Sequence, residues 1–142
     1  MVDKREQEMR DRYYKELEEM VMSILKKYGS TFEPIFIFID KNLDTYSESV
    51  SCDDFDKRYE LVKQWVRKYG AELYYAIIPS VWTDKEREQK DIIAIYEFSK
   101  SDGTRMKAVV LKKGEPVEVV IFVEEGEAYS NLNVWYQVQI NG

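Results

Sequence analysis

Asp40 closes an apolar run, Pro34-Ile35-Phe36-Ile37-Phe38-Ile39, and so stands where a buried strand would end. A carboxylate at a strand end is well placed for chemistry. Joined by Asp44, or by Asp91 and Glu97 from a neighbouring strand, it could hold Mg²⁺ or Mn²⁺ through oxygen atoms. Lys100 lies close behind Glu97 and joins the acids as a candidate. Asp40, Asp91, Glu97 and Lys100 are therefore the candidate catalytic residues, and the three acids among them the candidate metal ligands.

The segment Glu97-Phe98-Ser99-Lys100 bears a loose likeness to the acid-and-lysine arrangement of metal-dependent nucleases. In those enzymes the acid and the lysine stand two apart on one strand face. Here they stand three apart, and the period of a strand turns them to opposite sides. The plainer reading is ordinary strand-end and surface charge, with no cofactor and no metal ion expected. Cys52 is the one other candidate. A thiol at a helix start can be activated, but Asp53 and Asp54 oppose that effect. The plainer reading is an incidental, partly buried cysteine.

The chain contains no histidine among its 142 residues. Ser-His-Asp and Cys-His catalysis, histidine base work and histidine metal ligation are all excluded. A single cysteine excludes an internal disulfide and a structural zinc site of the usual kind. Any catalysis must rest on carboxylates, lysine, tyrosine or a hard metal ion. The glycines are spread singly, and no GxGxxG or phosphate-loop spacing occurs. The formal net charge is −6, which gives no global attraction to phosphate backbones, so a nucleic-acid partner is not expected. No apolar run approaches the ~20 residues of a membrane-spanning helix. The charged start, Met1-Val2-Asp3-Lys4-Arg5-Glu6, has no leader-like apolar stretch. Together with the lone thiol this predicts a cytoplasmic protein. The Lys and Glu content would also suit a thermophile.

The elements that must position these residues follow from periodicity. From about Asp3 to Tyr28, Met9, Tyr13, Leu17, Met20, Val21, Ile24 and Tyr28 recur at helical spacing, with residues 1–12 so charged that they fray or project. Gly29 stops that helix. Residues 35–39 read as a strand buried on both faces. Lys41 to Cys52 reads as a loop or as an edge strand around Leu43 to Val50. Ser51-Cys52-Asp53-Asp54 resembles a capping box opening a second helix to Tyr69, with Phe55, Tyr59, Val62, Val66 and Tyr69 inward. Leu73 to Ile78 is a strand, and Thr83 to Lys90 a charged loop. Ile92 to Phe98 is the next strand, and a turn at Ser101-Asp102-Gly103 leads to Arg105–Lys112. Lys113 to Pro116 turns again, Val117 to Val123 alternates, and a last strand carries Val134, Tyr136, Val138 and Ile140 on one face. The expectation is one α+β domain over residues 1–142. Two helices pack on a mainly antiparallel five- to six-stranded sheet, and both helices cover the same face, giving two layers.

Aromatic residues make up 14% of the chain, which turns attention from chemistry to contact. Trp135 alternates with the core face of its strand, so it belongs to an exposed or partner-covered surface with Tyr129 and Val120 or Phe122. Trp82, directly after a strand, either plugs the core or anchors an interface. Lys100 to Lys113 is basic and Glu115 to Glu127 acidic, so the two stretches can neighbour each other across a hairpin.

The stretch Ala71-Glu72-Leu73-Tyr74-Tyr75-Ala76-Ile77-Ile78-Pro79-Ser80-Val81-Trp82 resembles a family of small, uncharacterised phage and prokaryotic proteins. In them a helix leads into a strand ending in a Ser-Glu-Ala-Trp-like segment. A loop, a strand and a hairpin with an Asp-Gly turn follow, as at Ile92 to Lys112 with Asp102-Gly103 here. Pro79-Ser80 stands where that family has Ser-Glu. The resemblance implies a viral or mobile-element origin and no catalytic residue. The sequence thus predicts a non-enzymatic, self-associating or protein-binding module, with a divalent-metal hydrolase or nuclease as the alternative.

Overall fold

The apolar runs become strands of one sheet in the computed structural model, which describes residues 4–29, 32–49, 55–83, 86–100 and 103–122, without the side chains of residues 5, 6, 55, 121 and 122. In chain order the elements are α1 (Lys4–Tyr28), β1 (Ile35–Asp40), β2 (Thr45–Ser49), α2 (Phe55–Tyr69), β3 (Ala71–Thr83), β4 (Gln89–Ser99), β5 (Gly103–Lys112) and β6 (Glu115–Phe122). The six strands run in the order β2-β1-β3-β4-β5-β6, and every neighbouring pair is antiparallel. The α+β class, with two helices on an antiparallel sheet, is as the sequence predicts. The polar stretch after Asp40 folds as the edge strand β2. The proposed cap at Ser51–Asp54, Cys52, the turn residue Asp102 and the last strand at 134–140 lie outside the described residues.

The layering differs from the two-layer expectation. In β1 and β3 both the odd and the even positions are apolar, so both faces need a cover. Helix α1 lays Leu17, Val21 and Leu25 over the odd positions Ile37, Ile39, Leu73, Tyr75, Ile77, Ile93 and Ile95. Helix α2 lays Val62 and Val66 over the even positions Phe36, Phe38, Tyr74, Ala76 and Phe98. The helices therefore sit on opposite faces, and the sheet is the middle of three layers. The α2 side is largely aromatic. Phe38 lies 6.0 Å from Trp65, 5.7 Å from Tyr69 and 5.6 Å from Tyr74, ring centre to ring centre.

Strands β3 and β4 are longer than their apolar runs. Val81↔Asp91, Trp82↔Lys90 and Thr83↔Gln89 continue the ladder into both ends of the stretch Thr83 to Lys90 that the sequence predicts as a charged loop. Pro79 is tolerated there because β1 reaches only Ile77, so β3 has one neighbour beyond that point and a missing N–H breaks no inner ladder. The Lys113-Gly114 turn joins β5 to β6 with both residues at positive φ, 54° and 81°, the geometry of a tight hairpin that matches strand twist.

The buried stripe of α1 is rotated from the one the sequence predicts. Arg10, Tyr14, Leu17, Val21 and Leu25 face inward, Met9 and Tyr13 are only half-buried, and Tyr28 is 64% exposed. The cause is polar. Residues 4–12 are helical, and Arg10 and Tyr14 are drawn to groups on the sheet below.

Candidate functional site

Tyr75, Glu97 and Arg105 stand in one row across β3, β4 and β5, each the direct cross-strand partner of the next. Their side chains rise on the α1 face. Glu97 is fully buried. Its Oε1 accepts from Arg10 Nη2 at 2.5 Å and from Arg105 Nε at 2.6 Å. Its Oε2 accepts from the Tyr75 hydroxyl at 2.6 Å and from Arg105 Nη2 at 3.0 Å. Arg105 thus grips the carboxylate with a two-pronged fork, the strong geometry for this pair.

The network extends along α1. Arg105 Nη1 donates to Asp11 at 2.9 Å. One row further along β5, Lys107 donates to the Tyr14 carbonyl at 2.8 Å and lies 3.5 Å from Glu18. The Tyr14 ring has the Arg105 guanidinium 4.3 Å and the Lys107 ammonium 4.0 Å from its centre, and its hydroxyl donates to the Ile95 carbonyl at 3.4 Å. Three acids, Asp11, Glu18 and Glu97, are matched by Arg10, Arg105 and Lys107.

This arrangement holds rather than reacts. A carboxylate offers about four acceptor positions, and all four of Glu97's are taken. No lone pair is left for a metal ion or for a substrate proton. What the cluster can do is fix α1 to the sheet at one place.

The protonation shifts follow from burial. Tyr14 and Tyr75 keep their protons far above the usual tyrosine range of about 10. Burial is the main cause for both. Glu97, which also accepts the Tyr75 hydrogen bond, adds to the shift at Tyr75. Tyr13 is raised as well, by burial first and then by Glu16. Lys107 is lowered from 10.5, by burial first, with Glu18 acting against the shift. Above their ordinary value of 10.0, unfolded tyrosines release protons that the folded ones keep, so folding loses stability as pH rises. Lys107 works the other way, adding stability up to 10.5 and nothing beyond it. Urea unfolding followed into the alkaline range is therefore expected to show a steep loss above 10.5. Tyr75→Phe and Tyr14→Phe should each remove up to about 1.4 kcal/mol per pH unit of that slope. An unchanged slope in both variants would show that the two phenols ionise freely in the folded protein.

The remaining candidates are dispersed. The Asp40 carboxylate accepts the N–H groups of Asn42 and Asp44 at 2.9 and 3.0 Å and the Tyr46 hydroxyl at 3.2 Å, so it shapes the β1–β2 turn. Tyr46 packs against the α2-side core, which puts Asp40 across the sheet from Glu97. Asp91 is exposed and lies on β4 with Glu97 roughly 20 Å along the strand, at ~3.3 Å per residue. Lys100 is 3.8 Å from Glu72. One ion binds oxygens at ~2.0–2.6 Å, so these acids cannot share one. Among the described residues no three of His, Cys, Asp and Glu are grouped to hold a metal ion.

Trp82 packs at the margin of an apolar cluster on the α2 side of β4 and β5, with the Lys90 ammonium 5.8 Å from its ring centre. Phe122 ends β6. Tyr129 and Trp135 lie outside the described residues. The basic and acidic stretches meet at Lys112↔Glu115, but Arg105 and Lys107 turn to α1 instead.

Arg10, Tyr14, Tyr75, Arg105 and Lys107 were not singled out by the sequence reading. One signal was present: Glu97 is a lone acid inside the run Ile92–Phe98, and a buried charge demands partners.

No family model, no curated protein and no solved structure is similar to this chain. No helix among the described residues is long and apolar enough to cross a membrane.

Proposed function

We propose that this protein is a non-enzymatic interaction module that associates with a second copy of itself through β6, the outermost strand of its sheet among the described residues. The observation that carries this reading is the exposure of Val117, at 56%, and Val119, at 38%, on the last described strand. An edge strand presents unpaired backbone groups to any strand that arrives, and apolar side chains beside them add to the pull. Pro116, Glu115 and Glu118 guard the start of β6, and the guard ends at Val119. Antiparallel β6–β6 pairing would place the same patch on both copies, the self-complementary contact of a two-fold dimer. Phe122 continues the same strand, and Tyr129 and Trp135 follow it in sequence. The saturated Glu97 and the turn-bound Asp40 support the non-enzymatic half of the reading. In this reading the protein works in the cytoplasm, and the resemblance at Ala71–Trp82 favours a viral or mobile-element setting.

Sedimentation velocity over a hundredfold concentration range tests it. A dimer is expected at the upper end, lost in Val119→Lys and weakened in Trp135→Glu. A single monomeric species throughout would end the proposal.

A further inference from the structure

Strand β3 outruns one of its neighbours. β1 pairs with it as far as Ile77, while β4 accompanies it to Thr83. Two hydrogen bonds show which backbone groups of β3 turn to which side. The Lys100 N–H donates to the Glu72 carbonyl at 3.1 Å, so the even residues of β3 turn their backbone groups to β4. In the β1–β2 hairpin the Asp40 N–H donates to the Asp44 carbonyl at 3.1 Å. The odd residues of β1, Ile35, Ile37 and Ile39, therefore turn to β3, opposite Ile77, Tyr75 and Leu73. Both bonds give the same answer, and the register of β3 on β4 runs unbroken from Leu73 to Thr83. Pro79, Val81 and Thr83 thus direct their backbone to the side that β1 has left. No strand among the described residues pairs with them there.

This edge is of the kind that recruits its own copy. From Leu73 to Thr83 no residue is charged, in a chain of which 34% is. Ile78, Val81, Trp82 and Thr83 are strand formers, and Val81 is 61% exposed. A neutral, β-prone edge is a template for an identical strand. Two such edges would meet antiparallel about a two-fold axis through Val81, with Pro79 opposite Thr83 at both ends. The nearest like charges in the central row, the Asp91 of each copy, would stand three strand spacings of ~4.8 Å apart, beyond the screening length of ~8 Å. Charge therefore does not protect the edge.

We infer that Pro79 is what protects it: this residue keeps the free part of β3 from pairing with the same stretch of a second copy. Pro79 is the first residue past β1 whose backbone faces outward. It brings no N–H, and its ring fills the space that the arriving Thr83 carbonyl would need. Because the axis sets a Pro79 at either end, both outer rows are disabled and only Val81 is left opposite Val81. A register moved outward by one residue avoids the ring but keeps only the rows of Val81 and Thr83, a contact shorter than any strand of this sheet. The inference does not rest on the β6 contact, which lies three strands away in the sheet order.

Sedimentation velocity of the full-length Pro79→Val and Pro79→Thr variants tests it, in the parent chain and again with Val119→Lys, which removes the β6 contact. Both variants restore the N–H, one with an apolar and one with a polar side chain. In each background they are expected to associate at concentrations at least tenfold below any at which the same chain with Pro79 does so. Adding Val81→Lys sets like charges directly opposite each other and should return the behaviour of the Pro79 chain. Val81 is exposed, so this change spares the fold, which an unchanged far-UV circular dichroism spectrum and urea midpoint confirm. Association no stronger than with Pro79 in both folded variants would overturn the inference. So would a gain that Val81→Lys leaves in place, since the copies would then be meeting elsewhere.

Discussion

Glu97→Ala is expected to lower the free energy of unfolding by about 3–5 kcal/mol, because it strands the buried Arg10 guanidinium and one face of Arg105 without their counter-charge. For a chain of 142 residues this is a fall in Tm on the order of 10 °C. Urea unfolding reads it as a lower midpoint at unchanged slope. A companion variant separates charge from packing. Replacing the ion cluster wholesale, as Glu97→Leu/Arg10→Leu/Arg105→Met, leaves no uncompensated charge, and such replacements are often neutral or stabilising. The triple variant should therefore recover most of what the single one loses. If it is as unstable as Glu97→Ala, lost packing under α1 sets the cost, and the electrostatic account of the cluster fails. Tyr75→Phe removes one of four hydrogen bonds to the carboxylate and should cost about 1–2 kcal/mol.

Phe38→Ala is expected to cost about 3–5 kcal/mol, the usual penalty for emptying a large aromatic site in a core that cannot close over it. Phe38 is fully buried among Trp65, Tyr69 and Tyr74, and those rings are fixed by further contacts, including the Tyr46–Tyr69 stack at 4.4 Å. The emission of Trp65 should shift to the red as water gains access. Because the helices cover opposite faces, Phe38→Ala and Val21→Ala act on separate clusters. Their costs should add to within about 0.5 kcal/mol. A large departure from additivity would mean that the two faces are not independent layers.

Much of the architecture was legible because it rests on local pattern. The run Ile35–Ile39 announced a strand buried on both sides, the spacing of Val62 and Val66 announced α2, and the turns around Gly103 and Gly114 announced the hairpins. The same run carried the information that two covers were needed. A continuous apolar strand does not say which helix takes which face, and that choice is made by packing across the whole sheet. The candidate acids were legible as residues and not as a constellation. Asp40 and Glu97 point to opposite faces, a fact fixed by register and not by composition. Glu97's partners lie 8, 22 and 87 positions away, beyond any motif window. The roll of α1 escaped for a related reason. A helical wheel weighs Arg10 as an outward residue, and only the presence of Glu97 below turns it inward.

The row Tyr75–Glu97–Arg105 also limits how the strands can be aligned. A slip of one residue between β4 and β5 would break the Arg105 fork and carry an acid into the neighbourhood of Phe98 and Met106, among apolar side chains on the other face. The strands on either side are rich in interchangeable Ile, Val and Ala, which would tolerate many pairings almost equally. The lone charge is a key cut for one lock, so the hairpin proofreads its own alignment as it closes.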